Sequence, residues 1–241
     1  MIVELALGLR GQYVFNPAYL FLGLNLVFVV GVSFIVAYLS AKGYLLTGSL
    51  TLLLLTLSFI LLVIMSTING FFGNFSPNWA VTEAAIAVLL FSALQGFAGL
   101  QASLRATPIG SEHRKTNLAL TCSLVIFLSV LLSFLVWLNI FPPFFINGIG
   151  VASIDQIIYA IVIFFLSLSC ALFLRLYLKS KSTVLYWYTL ALAIEAIGLY
   201  GATFQMQFSD IVVWTGRVGV YIAFIYFLTA LLNSSRSKNS V

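Results

Sequence analysis

Seven long apolar stretches constrain this sequence more than any other feature. They lie approximately at residues 18–40, 45–68, 79–100, 118–138, 155–175, 184–204 and 211–232. A helix rises 1.5 Å per residue, so about 20 apolar residues cross the roughly 30 Å hydrocarbon core of a bilayer. The stretches are about twice as long as the strands of a membrane barrel, and they do not alternate polar with apolar residues. The sequence therefore predicts an all-α integral membrane protein, built as a bundle of seven transmembrane helices.

Charged residues are too few to cover a soluble domain. They make up 7% of the chain, and hydrophobic residues make up 62%, whereas soluble domains carry about 25% charged residues. This composition excludes most soluble enzymes and nucleic-acid-binding proteins. The two cysteines, Cys122 and Cys170, lie inside predicted spans and are typical of packing residues rather than of a disulfide scaffold. We therefore expect a multi-pass protein of the cell membrane, with the lipid bilayer as a partner and no nucleic acid.

The basic residues predict which way the bundle faces. Nine of the 11 Lys and Arg residues lie near the loops that follow the first, third and fifth stretches, or near the C-terminus: Lys42, Arg105, Arg114, Lys115, Arg175, Lys179, Lys181, Arg236 and Lys238. Because short loops rich in Lys and Arg stay cytoplasmic, we expect the N-terminus outside and the C-terminus inside. The acidic residues Asp155 and Asp210 then fall on the outer side. The predicted organisation is an extracytoplasmic segment at 1–17, one transmembrane domain at 18–232 and a polar cytoplasmic tail at 233–241.

Residue types that bind cofactors or catalyse reactions are missing from the expected places. No lysine lies within a span, so a retinal Schiff base is not expected. The single histidine, His113, lies in a predicted loop and lacks the co-ligands of a haem or metal site. No nucleophile, phosphate-binding or metalloprotease motif is present. The sequence therefore predicts no cofactor, no metal and no enzymatic activity.

Three ionisable residues lie well inside predicted spans: Glu83, Glu195 and Arg217. Charges in hydrocarbon are costly, so they either pair with each other or face a wet cavity. Glu195 lies about 15 Å inward from the outer end of the sixth span, and Arg217 lies one to two turns into the seventh. These depths favour a pair between Glu195 and Arg217, with Glu83 or Asp210 as rival partners.

Two interpretations of this polar core remain open. In one, the charges form a structural ion pair that sets the packing of the last two helices. In the other, they line a pocket toward the outer leaflet, where Arg217 and the aromatic residues Trp214 and Tyr221 hold a small or lipid-like ligand. Ala191, Gly198 and Ala202 on the face of Glu195 either allow close helix approach or leave room.

Two further patterns concern packing. The third predicted span carries a small-residue face that favours helix packing, with a dimer interface as the alternative: Ser92, Gln95, Gly96, Gly99 and Ser103. The predicted outer loops are rich in phenylalanine, and these side chains either anchor the loops in the interface or cover a pocket: Phe71, Phe72, Phe75, Phe141, Phe144 and Phe145.

Five segments resemble archaeal seven-helix membrane sensor modules: GQYVFNP (11–17), PIGSEHRK (108–115), FLRLYLKSK (173–181), LYWY (185–188) and VWTGR (213–217). Such modules form the N-terminal part of PAS-domain proteins and sensor histidine kinases. The resemblance implies a receptor-like protein that detects an extracytoplasmic or lipid-borne signal. Such modules continue into a soluble transmitter, whereas this sequence stops about nine residues after the seventh stretch. We therefore expect the output to pass to a separate cytoplasmic partner.

The cytoplasmic loops offer four basic docking candidates for such a partner: Arg114, Lys115, Lys179 and Lys181. Contact with anionic lipid headgroups would use the same residues. Two other functions remain open beside the sensory one. The polar residues could line the path of a small permease or channel, or the chain could be a structural subunit of a larger membrane complex.

Overall fold

The computed structural model describes residues 18–73, 76–104, 109–146, 149–204 and 211–238. Several predicted features lie outside these ranges: the N-terminal segment at 1–17, Phe75, Arg105, Asp210 and the last residues of the tail. Within the described ranges, seven helices are long and apolar enough to cross a membrane. The predicted all-α bundle is thereby confirmed.

We number these helices span 1 to span 7. Span 1 joins three segments, the α-helix Ala18–Leu24, the π-helix Asn25–Gly31 and the α-helix Val32–Thr47. Spans 2 to 7 contain the α-helices Leu50–Phe72, Pro77–Leu104, Arg114–Trp137, Ser153–Ser180, Thr183–Tyr200 and Ile211–Lys238. Short 3-10 turns at Ser111–His113 and Gly201–Phe204 adjoin spans 4 and 6. Between spans 4 and 5, strands β1 (Phe145–Ile146) and β2 (Gly150–Val151) form an antiparallel hairpin.

Span 1 is longer than its apolar stretch. We expected it to end near residue 40, but the helix continues through the exposed Lys42 to Thr47. It ends at Gly48, whose φ of 71° places it in the left-handed region, and the Gly48 N–H donates to the carbonyl of Tyr44 at 2.7 Å. A glycine in this conformation is a common helix terminator, because it has no Cβ to clash. The polar punctuation at residues 41–43 was therefore a poor guide to the helix end.

The outer face of the bundle is apolar. Large side chains with high exposed fractions include Phe34 at 65%, Phe127 at 63%, Phe164 at 62% and Ile197 at 73%. Soluble monomers rarely expose contiguous apolar patches of more than a few hundred Å². The exposed surface therefore fits contact with hydrocarbon.

An aromatic cluster holds spans 2, 3 and 7 together in the core. The rings of Phe59, Phe91, Phe224 and Phe227 pack with centroids 5.3–6.4 Å apart, mostly edge to face. This arrangement places the positive edge of one ring against the negative face of the next. All four side chains are almost completely buried.

Hydrogen bonds tie together the loops at each end of the bundle. At one end, the Ile109 N–H donates to the carbonyl of Gly48 at 3.0 Å. This bond links the loop between spans 3 and 4 to the loop between spans 1 and 2. At the opposite end, Oδ1 of Asn78 accepts hydrogen bonds from the backbone N–H groups of Phe144 and Phe145 at 2.9 and 3.0 Å. This second contact links the start of span 3 to the loop before the hairpin.

The phenylalanine side chains predicted in the two outer loops differ in burial. Phe144 and Phe145 are 2% and 5% exposed and pack against the core, whereas Phe71 and Phe72 are 55% and 43% exposed at the end of span 2. Anchoring at an interface therefore suits Phe71 and Phe72. The other two side chains are part of the bundle interior.

The small-residue face of span 3 packs against span 5. A Cβ atom added at Gly96 would lie 3.1 Å from a ring carbon of Phe165, and one added at Gly99 would lie 3.3 Å from Leu172. The predicted packing role is therefore confirmed. This face is occupied within the chain.

Candidate functional site

A cavity of about 150 Å³ lies inside one half of the bundle, between spans 1, 2, 3, 5, 6 and 7. Its wall includes Glu83 near the start of span 3, Glu195 toward the end of span 6, and Arg217 and Tyr221 in the first half of span 7. The cavity therefore lies toward the N-terminal ends of the odd-numbered spans. Lys115, Lys179 and Lys181 lie at the other end of the bundle.

Two carboxylates of the cavity wall are buried. Glu83 is 0% exposed and Glu195 is 1% exposed. Oε1 of Glu83 accepts a hydrogen bond from the hydroxyl of Ser133 in span 4 at 2.6 Å. The Oε2 atoms of Glu83 and Glu195 have no hydrogen-bond partner among the described residues. Because an unsatisfied buried carboxylate is costly, these two side chains are the candidates in the cavity wall for contact with a donor or a cation.

The guanidinium of Arg217 lies over two aromatic rings. Its Cζ atom is 4.5 Å from the ring centroid of Phe21 in span 1 and 5.2 Å from that of Trp214, one turn earlier in span 7. Cation–π contacts of this kind stabilise a cation by about 0.5–2 kcal/mol. Trp214 therefore contacts Arg217, as the aromatic stripe of span 7 predicts.

The expected ion pair between Glu195 and Arg217 is absent from the described part of the chain. Both side chains line the same cavity, but Oε2 of Glu195 makes no hydrogen bond there. The helix depths were close enough for a pair, but the depth of a residue does not fix the direction in which its side chain points. The structural interpretation therefore lacks this one contact among the described residues, and Asp210, a rival partner, lies outside them.

Tyr221 meets a residue that the sequence reasoning missed. Its hydroxyl donates to Oδ1 of Asn25 at 3.4 Å, and its ring stacks on Phe28 with centroids 5.5 Å apart. Asn25 begins the π-helix of span 1 and lines the cavity. Single π-turns occur often at functional sites. An asparagine within an apolar stretch was the signal that could have identified it.

Asp155 is a second missed residue. We expected it on the outer side; it lies in the first turn of span 5, at the same end of the bundle as the cavity, and it is 0% exposed. Neither carboxylate oxygen has a hydrogen-bond partner among the described residues. It lies one turn before Tyr159, which lines the cavity. A further buried acidic group therefore lies one turn from the cavity wall along span 5.

Spans 6 and 7 touch through glycines beside the cavity. A Cβ atom added at Gly198 would lie 2.7 Å from the carbonyl oxygen of Gly216 and 3.0 Å from the backbone nitrogen of Val220. Only residues without a side chain allow this distance between two helix backbones. The close approach expected on the face of Glu195 is therefore confirmed at Gly198.

A buried hydrogen-bond chain lies deeper in the bundle than the cavity. The Tyr188 hydroxyl in span 6 donates to Oε1 of Gln95 in span 3 at 2.5 Å, and Nε2 of Gln95 donates to the Ser58 hydroxyl in span 2 at 3.0 Å. Gln95 and Ser58 are 0% exposed, and Tyr188 is 3% exposed. Tyr188 lies two turns from Glu195 on the same helix. These two hydrogen bonds therefore link spans 2, 3 and 6 at a level between the cavity and the basic loops.

The basic docking candidates divide into two groups. The guanidinium of Arg114 donates to the carbonyls of Leu45, Leu46 and Ile109 at 3.2, 2.8 and 2.9 Å, so it caps the end of span 1. Lys115, Lys179 and Lys181 are exposed. Of the four candidates, these three lysines are accessible to a partner or a lipid headgroup, and Nζ of Lys181 also lies 5.6 Å from the ring centroid of Tyr177.

Known proteins do not identify this site. No family model, curated protein or solved structure matches the chain. The resemblance to archaeal sensor modules therefore stays a prediction. No group of three His, Cys, Asp or Glu side chains that could hold a metal ion occurs in the described ranges.

Proposed function

We propose that this chain is a receptor-like protein of the cell membrane that binds a small ligand in the cavity and passes the signal to a separate cytoplasmic partner. One observation carries the proposal. The cavity is large enough for a small molecule, and two buried carboxylates in its wall each have an oxygen without a partner in the described part of the chain. Ionisable groups in a membrane interior mark functional sites by default.

The charge distribution supports an outward-facing cavity. Basic residues concentrate at the end of the bundle opposite the cavity. Loops rich in Lys and Arg stay on the cytoplasmic side. With the N-terminus outside, the cavity lies in the outer half of the membrane, where it can receive a signal from outside or from the outer leaflet.

Span 6 supplies the route from the ligand to the cytoplasmic side. It carries Glu195 in the cavity wall and Tyr188 two turns closer to the basic loop. A ligand that binds one arrangement of spans 6 and 7 more tightly shifts the population toward it. The hydrogen bond from Tyr188 to Gln95 then tightens or breaks, and the loop that carries Lys179 and Lys181 moves. The cytoplasmic partner detects this movement.

The test measures movement at the basic end when the cavity is filled. A cysteine-free background carries spin labels at Ser111→Cys and Thr183→Cys, both exposed at that end. The labelled protein in lipid nanodiscs receives one of three benzene-sized probes: benzylammonium, benzyl alcohol or benzoate. We expect at least one probe to change the distance between the labels, measured by double electron–electron resonance.

The control fills the cavity from within. Ala84 lines the cavity, so Ala84→Phe should abolish both binding and the distance change while the labels stay in place. If no probe binds, or if a probe binds without any change in the label distance, the receptor proposal is wrong.

A small permease is the second candidate, favoured by the chain of Tyr188, Gln95 and Ser58. These hydrogen bonds place polar side chains of three spans between the level of Glu195 and the basic end of the bundle, and polar groups at such depths often mark a conducting path. The same three probes distinguish the functions when the protein is reconstituted in vesicles. Uptake that exceeds that of protein-free vesicles favours the permease, whereas binding without uptake favours the receptor.

A further inference from the structure

We propose that the cavity selects a small organic monocation, an ammonium group on an apolar body about the size of benzene, with Glu195 and Glu83 as its charge partners. This inference rests on the proposed function, because it names the chemical class of the ligand that the receptor would bind. It does not depend on the direction of signalling.

The charge of the wall favours a cation. Two carboxylates and one guanidinium line the cavity among the described residues, so acidic groups outnumber basic ones by one. Asp155 is a further buried acidic group, one turn before the cavity residue Tyr159 on the same helix. A cation within hydrogen-bond distance favours the ionised form of a carboxyl group, so the acidic majority of the wall favours a monocation over an anion.

The two carboxylates are prepared to accept hydrogen bonds. Ser133 donates to one oxygen of Glu83, and within the residues that the structure describes the other oxygen of Glu83 and one oxygen of Glu195 have no partner. Both side chains are almost fully buried. An ammonium group has up to three N–H donors and can satisfy such oxygens with charge-assisted hydrogen bonds.

The guanidinium of Arg217 is engaged by aromatic faces. It lies over the rings of Phe21 and Trp214, which stabilise its charge. A cationic ligand therefore meets a guanidinium already held by its own neighbours. The carboxylates that would meet the ammonium group lie on spans 3 and 6.

The rest of the wall fits an apolar body of limited size. Leu62, Met65, Val88 and Phe224 line the cavity with hydrophobic surface. The volume is about 150 Å³, and an apolar cavity of about this volume in another protein binds benzene. A ligand with one ammonium group and a ring or short branched chain matches both the size and the polarity.

The experiment compares three probes of similar size and different charge. The full chain in nanodiscs of neutral lipid is titrated with benzylammonium, benzyl alcohol and benzoate by isothermal calorimetry, and empty nanodiscs correct for partitioning into lipid. We expect benzylammonium to bind at least about tenfold more tightly than benzyl alcohol, since a charge-assisted hydrogen bond is about twice as strong as a neutral one. Benzoate should bind most weakly.

Charge-removing variants assign the preference to specific side chains. Glu195→Gln and Glu83→Gln should each weaken benzylammonium binding by about tenfold or more and leave benzyl alcohol binding nearly unchanged. Glu112→Gln is the matched control, because Glu112 is exposed in the turn before span 4 at the opposite end. If one variant fails to fold, the other carries the test.

The outcomes separate this inference from the proposed function. If benzyl alcohol or benzoate binds as tightly as benzylammonium, the cation preference is wrong while the receptor proposal stands. If benzylammonium binds tightly but the spin labels at the basic end do not move, the receptor proposal is wrong while the cation site stands. Unchanged benzylammonium affinity in both Glu→Gln variants would overturn the assignment of the two carboxylates.

Discussion

The contact between spans 6 and 7 is tested by adding one methyl group. In Gly198→Ala, the new Cβ would lie 2.7 Å from the carbonyl oxygen of Gly216. Real Cβ atoms do not come this close to backbone, so the two helices must move apart. Overpacking of this kind costs about 1–3 kcal/mol, and more when backbone must shift.

The same substitution has a favourable side that a matched control measures. Alanine gains about 1 kcal/mol over glycine in helix propensity. Gly23→Ala adds a Cβ with no heavy atom of the described residues within 4 Å, so it reports the gain in helix propensity. A stability loss of 1 kcal/mol lowers the melting temperature by roughly 2–4 °C in a chain of this size. We therefore expect Gly198→Ala to unfold several degrees below wild type and further below Gly23→Ala.

Thermal unfolding of the purified protein in detergent, followed by tryptophan fluorescence, gives these temperatures. Gly216→Ala approaches the same contact from the other helix and should lower the melting temperature as well. The double variant should lose less than the sum of the two single losses, because both methyl groups push the same pair of helices apart. Equal melting temperatures for Gly198→Ala and Gly23→Ala would show that the two backbones are not in contact.

Two further predictions concern the ends of the bundle. Asn78→Ala removes the acceptor for the backbone N–H groups of Phe144 and Phe145, so we expect a loss of about 1–3 kcal/mol in stability. Faster hydrogen exchange at these two amides checks it, and unchanged exchange would contradict it. Arg114→Gln removes the charge that caps the C-terminal carbonyls of span 1 and should cost about 0.3–1 kcal/mol or more. Lys115→Gln, at an exposed neighbour, should stay within about 0.5 kcal/mol of wild type in the same unfolding assay.

The sequence predicted the seven helices and the depth of the ionisable residues along them. Long apolar stretches have one stable solution in a bilayer, because every backbone group must be satisfied within the helix. Glu83, Glu195 and Arg217 stood out because charge is rare in such stretches. The structure places all three around one cavity. Their role as a ligand site stays a prediction.

The direction of side chains around each helix was harder to predict. Depth along the helix follows from residue number, but rotation about the helix axis depends on packing against several neighbours at once. This is why Arg217 lies over Phe21 and Trp214 instead of pairing with Glu195. The burial of Asp155 was missed for a related reason, since a residue at the edge of an apolar stretch carries no signal of which way it points.

The winding of span 1 determines which side chains reach the cavity. The π-helix Asn25–Gly31 lies between two α-helical segments, and a π-turn contains more residues than the 3.6 of an α-turn. Rewinding it to an α-helix would rotate the preceding segment by about 100° for each residue of register. Phe21 would then leave the guanidinium of Arg217. A one-residue deletion within this segment would therefore change the cavity lining without altering any residue on spans 2 to 7.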